Sequence, residues 1–299
     1  MTKEDNALSF AIMTDTSANL PTPYLRENDI YVAPFSYYIG DEEFTCLDTE
    51  TFDSASYYGA MRKGTVVTTS LVNPERFIAA TRPLLDAGQD VLFVGMSSGI
   101  SGSFGLAKAA AAELREEYPE RSIELVDTLG ASLGEGLLVV RGIEMRKEGA
   151  TLEDTAMALR EMRWRMYQIF TVDDLMYLRR TGRLSNAKAI VASVLHIKPL
   201  LKGNEQGAIV AVDKIRSRRR AVDALAERYR SYAVEPENQI VGIAHADCKE
   251  DAEYLAEALR IIAPPKDIMI VDYEPVTGSH VGPGALALFF LGDETVRSK

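Results

Sequence analysis

The chain has 299 residues, of which 46% are hydrophobic and 26% are charged, and its formal net charge is −11 at pH 7. This composition is ordinary for a globular protein, and the length exceeds what one hydrophobic core usually serves, so we expect two domains. The acidic excess excludes nucleic acid and anionic membrane as main partners, because both bind basic surfaces.

The first half of the sequence alternates predicted strands with predicted helices. The apolar run from Phe10 to Met13 predicts a strand, and Pro21 marks the start of a helix. VVTTS predicts a second strand, after which Asn73 fits a helix N-cap, Pro74 the first helical position and Gly88 the helix end. DVLFVGM and SIELVD predict further strands, each followed by a small-residue turn and a helix. Such strand–turn–helix units imply a parallel sheet with helices on its faces.

The second half mixes strands and helices differently. QIFT predicts a strand, KAIVASVLHIKPLL a helix that becomes extended around Pro199, and GAIVAVDKI one strand of a hairpin before a long helix near Arg218. QIVGIAHADC, DIMIVDYEP and GALALFFLG predict more strands, with a helix between the first two. We therefore predict an α/β protein with two domains. An N-terminal parallel-sheet α/β domain spans residues 1–165, and a C-terminal α+β domain with a mixed or antiparallel sheet spans residues 166–299.

Cysteine usage and hydropathy indicate a cytoplasmic protein. Cys46 and Cys248 lie far apart without metal-ligand spacing, which fits a reducing compartment. The polar N-terminal sequence MTKEDNALSF does not resemble a signal peptide. The apolar run ALALFFL is far shorter than the roughly 20 residues that span a bilayer, so we expect no stable membrane insertion.

Hydroxyl-rich turns follow several predicted strands of the first half: TDTSANLP, TTSLVNP and SSGISGS. In parallel sheets, ligands bind beyond the carboxyl ends of the strands, where helix N-termini present free N–H groups. Hydroxyls gathered there would form a neutral site for one carboxylate or phosphate. Each turn alone is also explained as a helix cap, since Ser and Thr are common N-cap residues. The glycines of SSGISGS favour a ligand site, whereas a dinucleotide motif and a P-loop lysine are missing.

Among the three histidines, His280 is the candidate for ligand binding. We predict that it lies in a flexible, glycine-flanked loop, where an imidazole can bind an anion and titrate near neutral pH. His196 and His245 are interpreted as structural residues. The basic segment KIRSRRR, residues 214–220, is either a solvated helix start or a site for phosphate or an acidic partner.

Sequence blocks along the chain occur in the order typical of the DegV family: TDTSANLP, TTSLVNPERF, SSGISGSF, VDTLGASLGEG, LRRTGRLSNAKA, IKPLL, KIRSRRRA and GSHVGPGALALFF. The chain therefore resembles this family over nearly its whole length, and the SSGISGS and HVGPGA blocks are the most specific. The family includes the fatty-acid-binding subunits of bacterial fatty acid kinase.

The resemblance implies a DegV-like fold with one long-chain fatty acid between the two domains. It also implies that a threonine, a serine and a histidine hold the carboxylate. On this sequence they are Thr69, Ser98 and His280, and Ser70 and Ser97 are neighbours that could contribute.

The function implied by the resemblance is presentation of the fatty acid carboxylate to a partner kinase, which forms an acyl phosphate for phospholipid metabolism. Arg216 of the basic segment would then face the phosphate or the kinase subunit. Since this chain has no ATP motif, the ATP-binding fatty acid kinase subunit would be a separate protein. We expect no catalytic residue, cofactor or metal site here. Leu71 replaces the glutamine usual in the family, and His196 replaces an asparagine, which leaves acyl-chain preference open.

Two other functions stay open on the sequence. A lipid hydrolase would use Ser98 as nucleophile and His280 as base, although the G-x-S-x-G motif is missing. A lipid-responsive regulatory protein would bind the same ligand but a different partner.

Overall fold

A computed structural model of the chain describes residues 10–185 and 197–299. The strands are β1 Ala11–Asp15, β2 Ile30–Ala33, β3 Ser36–Ile39, β4 Glu42–Thr45, β5 Val67–Ser70, β6 Val91–Gly95, β7 Ile123–Asp127, β8 Met166–Thr171, β9 Ile197–Gly203, β10 Ile209–Arg216, β11 Ile240–His245, β12 Asp267–Asp272 and β13 Leu286–Leu291. The helices are α1 Thr22–Glu27, α2 Ser54–Arg62, α3 Pro74–Asp86, α4 Ser103–Glu117, α5 Leu133–Lys147, α6 Leu152–Arg165, α7 Met176–Arg180, α8 Arg218–Tyr232, α9 Lys249–Ile262 and α10 Pro275–Val281.

The predicted parallel sheet is confirmed, with the strand order β2-β1-β6-β7. Its central strands β1 and β6 are buried at every position, because helices cover both faces. Ala11 and Met13 pack with α3 and α4, whereas Ile12 packs with α5 and α6. The predicted cap of α3 is also confirmed, since the Asn73 side chain accepts a hydrogen bond from the backbone N–H of Arg76.

The second half forms the mixed sheet that the sequence predicts, with the order β10-β9-β8-β13-β11-β12. Strands β11 and β12 are parallel, and the other neighbouring pairs are antiparallel. Leu286 and Leu288 pack with α8 and α9, while Ala287 and Phe289 face the side on which α5 lies. Helix α5 therefore lies between the two sheets. The helix predicted for KAIVASVL, together with His196, lies outside the described residues.

A small antiparallel sheet of order β4-β3-β5 corrects one sequence prediction. VVTTS was expected in the parallel sheet, and this was wrong: Thr69 of β5 lies opposite Tyr37 of β3 in an antiparallel pair. The physical reason is the shortage of apolar side chains, because only Val67 is buried in β5 while all of β6 is buried. The Tyr37 ring stacks on Phe44 with a centroid distance of 5.3 Å, which joins β3 to β4. None of the described helices is long and apolar enough to cross a membrane.

Two helical glycines give a matched test of how α5 packs. A Cβ atom added at Gly136 of α5 would lie 2.4 Å from the carbonyl oxygen of Ala18, whereas one added at Gly105 of α4 would have no atom within 4 Å. We expect Gly136→Ala to lower the free energy of unfolding by about 1–3 kcal/mol, because the backbone must shift. Gly105→Ala should raise it by about 0.5–1 kcal/mol, since alanine favours the helix. Urea denaturation checks both, and equal effects would contradict this packing.

Candidate ligand-binding site

A cavity of about 490 Å³ lies between the small sheet, the turn before α4, and helix α10. Its walls are mostly apolar, and its polar groups are hydroxyls, one imidazole and one guanidinium. The lining residues are Phe35, Thr69, Ser70, Leu71, Met96, Ile100, Ser101, Ala131, Leu178, Arg183, Ile209, Val276, Thr277, His280 and Val281. Since they come from both halves of the sequence, the fold of each half is needed to form the cavity.

Thr69 and His280 meet at this cavity, 211 residues apart in sequence. The Thr69 Oγ1 atom lies 3.0 Å from Nε2 of His280, within hydrogen-bond distance. Thr69 belongs to β5 and His280 to α10. The structure therefore brings together two of the side chains that the resemblance assigns to a carboxylate, one from each half of the chain.

Helix α10 holds the imidazole in place, which corrects the predicted flexible loop. Pro275 is the first helical residue, and the Glu274 carboxylate caps the helix by accepting hydrogen bonds from the N–H groups of Val276 and Thr277. The Tyr57 hydroxyl donates to the carbonyl of Pro275 at 2.7 Å. The acid–proline pair before TGSH was the sequence signal for this helix.

The ionisation of His280 differs from the expected titration near neutral pH. Burial is the largest cause that lowers the pKa of His280, to about 4, and the positive charges of Arg183 and Arg180 lower it further. The imidazole is therefore neutral at pH 7 in the ligand-free protein. Its Nδ1 atom is buried without a hydrogen-bond partner among the described residues.

Of Ser97, Ser98 and Ser101 in SSGISGS, one lines the cavity and two form hydrogen bonds elsewhere. Ser101 lines the cavity, as does Ser70 of the TTS segment. Ser97 does not line it, because its hydroxyl donates to the carbonyl of Gly207 at 2.9 Å. The exposed Ser98 hydroxyl donates instead to the Asp127 carboxylate at 2.5 Å. Ser101 is thus a site residue that the sequence interpretation missed.

The sequence gives no signal that distinguishes Ser101 from the other serines of SSGISGS. The backbone N–H of Ser101 bonds to the carbonyl of Ser97, so a helical turn separates them. Residues four apart on a helical turn lie on the same side of it, so the spacing alone does not separate the two serines. Ser101 lines the cavity, whereas Ser97 bonds to Gly207 in the β9–β10 connection.

The turn TDTSANLP does not supply hydroxyls to the cavity, contrary to the expectation that all three turns form one cradle. The Ser17 hydroxyl lies 2.6 Å from Asp15 Oδ1 and 2.5 Å from Glu135 Oε2. Because a hydroxyl has one hydrogen, this geometry calls for a further proton on the carboxyl pair. Burial raises the pKa of both Asp15 and Glu135, which agrees with such a shared proton.

The arginine in the cavity wall is Arg183. Arg216 is exposed at the end of β10 and does not line the cavity.

Within residues 10–185 and 197–299, no three His, Cys, Asp or Glu side chains are grouped so that they could hold a metal ion.

A wider groove of about 1220 Å³ lies elsewhere, between α5, α6 and the end of the mixed sheet. Arg141 lies in its wall and pairs with Glu144 and Glu148. Charged walls of this kind do not suit an apolar ligand, so the smaller cavity is the candidate site.

Comparison with known proteins relates nearly the whole chain to one family. The family model described as "Uncharacterised protein, DegV family" matches residues 9–293. A DegV domain-containing protein of Clostridium perfringens is 38% identical over 285 residues, which cover 95% of this chain and 98% of that protein.

Two solved structures share the fold and are described as binding fatty acids. One is described as showing fatty acid binding of a DegV family protein from Thermus thermophilus; it is 26% identical, has a TM-score of 0.85, and the match covers 95% of this chain and all (100%) of that one. The other, DegV of Bacillus subtilis, is described as a fatty acid binding protein; it is 28% identical, with a TM-score of 0.82 and coverage of 96% and 100%.

The ionisation of His280 can be measured directly. We expect the ring to titrate with a pKa of about 4 in the ligand-free protein. Arg183→Ala should raise this pKa, because it removes a positive charge that disfavours the imidazolium. Arg179→Ala removes an exposed arginine of the preceding helix α7 that does not contribute to the shift, so it serves as control. NMR titration of the ring protons provides the measurement. A pKa near 6.5 in all three proteins would contradict the described burial.

Proposed function

This chain belongs to the DegV family, and from that premise we propose that it binds a long-chain fatty acid in the 490 Å³ cavity. The single observation that carries this proposal is the Thr69–His280 contact at one apolar cavity built by both halves of the chain. The fatty-acid-binding relatives from Thermus thermophilus and Bacillus subtilis support the ligand class.

The apolar wall accounts for binding of the tail. Each methylene that leaves water contributes about 0.8 kcal/mol, so a chain of about sixteen methylenes has a gross driving force well above the cost of ordering it. Phe35, Met96 and Ile209 are among the lining residues that would contact this tail. The volume lies within the range of about 300–1,000 Å³ that is usual for small-molecule sites.

The carboxylate end requires hydrogen-bond donors, because a buried anion without them is strongly unfavourable. Thr69, Ser70 and Ser101 supply hydroxyls, and Arg183 supplies a positive charge in the wall. We assign the carboxylate to Thr69, Ser101 and His280. The Ser101 hydroxyl donates to the Ser103 hydroxyl at 3.1 Å in the ligand-free protein and would turn to the carboxylate on binding. A carboxylate beside the imidazole raises the pKa of His280 and so favours its protonated, doubly donating form.

The kinase part of the proposal rests on the family resemblance and on the missing ATP motif. The fatty acid carboxylate would be phosphorylated by a separate ATP-binding subunit in the cytoplasm, and this chain would carry the acyl phosphate onward. Arg216 is exposed at the end of β10, where a partner can reach it, and stays the proposed contact for phosphate or the kinase subunit.

The hydrolase alternative gains no support from the site. Ser98 bonds to Asp127, whereas His280 bonds to Thr69, so the proposed nucleophile and base each have other partners. The regulatory alternative uses the same ligand site and differs only in the partner.

Extraction of the protein purified from bacterial cells, followed by lipid mass spectrometry, tests ligand binding. We expect about one long-chain fatty acid per chain. Protein that carries no lipid and does not take up added fatty acid would overturn the proposal. Acyl phosphate formation from ATP only when a kinase subunit is added would support the carrier role, and ester hydrolysis by this chain alone would refute it.

The serine assignment is tested by two single-hydroxyl deletions. Ser101→Ala should weaken fatty acid binding about tenfold or more, because a hydrogen bond to a charged group contributes about 1.5–3 kcal/mol. Ser98→Ala should leave affinity within about twofold, since an exposed hydroxyl outside the cavity is removed. Displacement of a fluorescent fatty acid gives both dissociation constants. The reverse order would restore Ser98, the residue that the resemblance indicated.

Proton uptake should accompany binding. The pKa of His280 is about 4 in the free protein and rises beside a bound carboxylate. Binding therefore takes up protons at pH values between the pKa of the free protein and the higher pKa of the complex. Uptake should therefore grow as the pH falls from about 7 toward 5. Calorimetry at about pH 6 in two buffers of different ionisation enthalpy measures it, and His280→Asn should abolish it. Identical enthalpies in both buffers for the unmodified protein would contradict the role of His280.

A further inference from the structure

The loop from residue 127 to residue 132, which joins β7 to α5, has an unfavourable backbone and forms part of the cavity wall. Leu129 has a φ of 53° and Ser132 a φ of 55°, in the left-handed region that favours glycine. Ala131, between them, lines the cavity. Such conformations cost about 1–3 kcal/mol each and persist only where surrounding groups hold them. We call this segment the β7–α5 loop.

Gln168 of β8 is one of the groups that hold the β7–α5 loop. Its Oε1 atom accepts a hydrogen bond from the N–H of Ala131 at 3.2 Å, and its Nε2 atom donates to the carbonyl of Leu129 at 3.1 Å. Gly130 and Gly134 leave room for it, because added Cβ atoms would lie 2.8 Å and 2.4 Å from its amide. The side chain amide therefore fits a space that only glycines on both sides provide.

Arg297, near the C-terminus, also holds this loop and is only 2% exposed. Its Nη2 atom donates to the carbonyls of Leu129 at 2.6 Å and Asn204 at 2.8 Å, and Nε donates to Asn204 at 3.1 Å. Its Nη1 atom donates to the carbonyls of Arg163 at 3.3 Å and Met166 at 3.1 Å. These bonds use all five guanidinium N–H groups.

The acceptors of Arg297 come from three separate segments: the β7–α5 loop, the junction of α6 with β8, and the turn between β9 and β10. Burial lowers the pKa of Arg297 to about 10, so the group is still charged at pH 7. A buried charge that bonds to carbonyls is stable only while all these segments keep their positions.

We propose that Gln168 and Arg297 are positioning residues for the ligand cavity. From the C-terminal half they hold the strained β7–α5 loop so that Ala131 forms one cavity wall. Through Asn204 the same guanidinium fixes the hairpin that supplies Ile209 to another wall. A shift between the two halves would therefore move these cavity walls and change how firmly the cavity retains the acyl chain. This inference rests on the proposed function for its ligand, while its structural part concerns the loop itself.

The test uses the full chain with Gln168→Ala, Arg297→Ala, Arg297→Lys and the control Lys299→Ala, which alters an exposed residue of the same C-terminal segment. We expect the alanine variants at Gln168 and Arg297 to release a bound fatty acid about tenfold faster, equivalent to ~1.4 kcal/mol. They should also lose discrimination between acyl chain lengths. Arg297→Lys should be intermediate, since an ammonium keeps the charge but has three donors. Lys299→Ala should match the unmodified protein.

Two further measurements separate positioning from loss of stability. Proton uptake on binding should be unchanged, because His280 and Thr69 lie at the carboxylate and not at the loop. Hydrogen exchange of the Ala131 amide in ligand-free Arg297→Ala should be about tenfold faster, although its acceptor Gln168 is still present.

Unchanged release rates and unchanged Ala131 exchange in the folded variants would overturn the inference. If Arg297→Ala does not fold, Arg297→Lys and Gln168→Ala decide the outcome by the same criteria. If the unmodified protein binds no fatty acid, the proposed function fails, and Ala131 exchange in the ligand-free variants still decides whether Arg297 and Gln168 hold the loop.

Discussion

The contact between Thr69 and His280 joins a strand of the first half to a helix of the second at the cavity between them. A carboxylate can be buried there only if donors stand ready, because an unpaired anion in an apolar cavity is strongly unfavourable. The capped helix α10, fixed by the Tyr57 hydroxyl, and the small sheet place these two side chains. The site thus depends on contact between side chains from the two halves of the chain.

Much of the architecture could be predicted from the sequence because apolar runs and helix caps are local signals. The parallel sheet, the mixed sheet and the Asn73 cap follow from such patterns. The small sheet could not be placed, since VVTTS gives a strand but not its partner. For the site, the choice between Ser98 and Ser101 depends on which distant segments surround each serine, and the shifted pKa of His280 depends on burial and on Arg183. These are tertiary effects that no single segment contains.

Buried polar groups mark the places where segments distant in sequence meet. Ser17 and the carboxyl pair Asp15–Glu135 join the end of β1 to the start of α5. Arg297 joins three segments through backbone carbonyls alone. Each group is stable only with its partners in position, so moving one of these elements would leave a buried polar group without its hydrogen bonds. The shape of the cavity depends on how these elements are placed.

A crystal structure of the protein with a bound long-chain fatty acid would test the central claim most directly. We predict that the carboxylate oxygens lie within hydrogen-bond distance of the Thr69 hydroxyl and the His280 imidazole, with the tail running along Met96 and Ala131. A carboxylate bound away from both side chains, or a tail that lies in the charged groove between α5 and α6, would contradict the account.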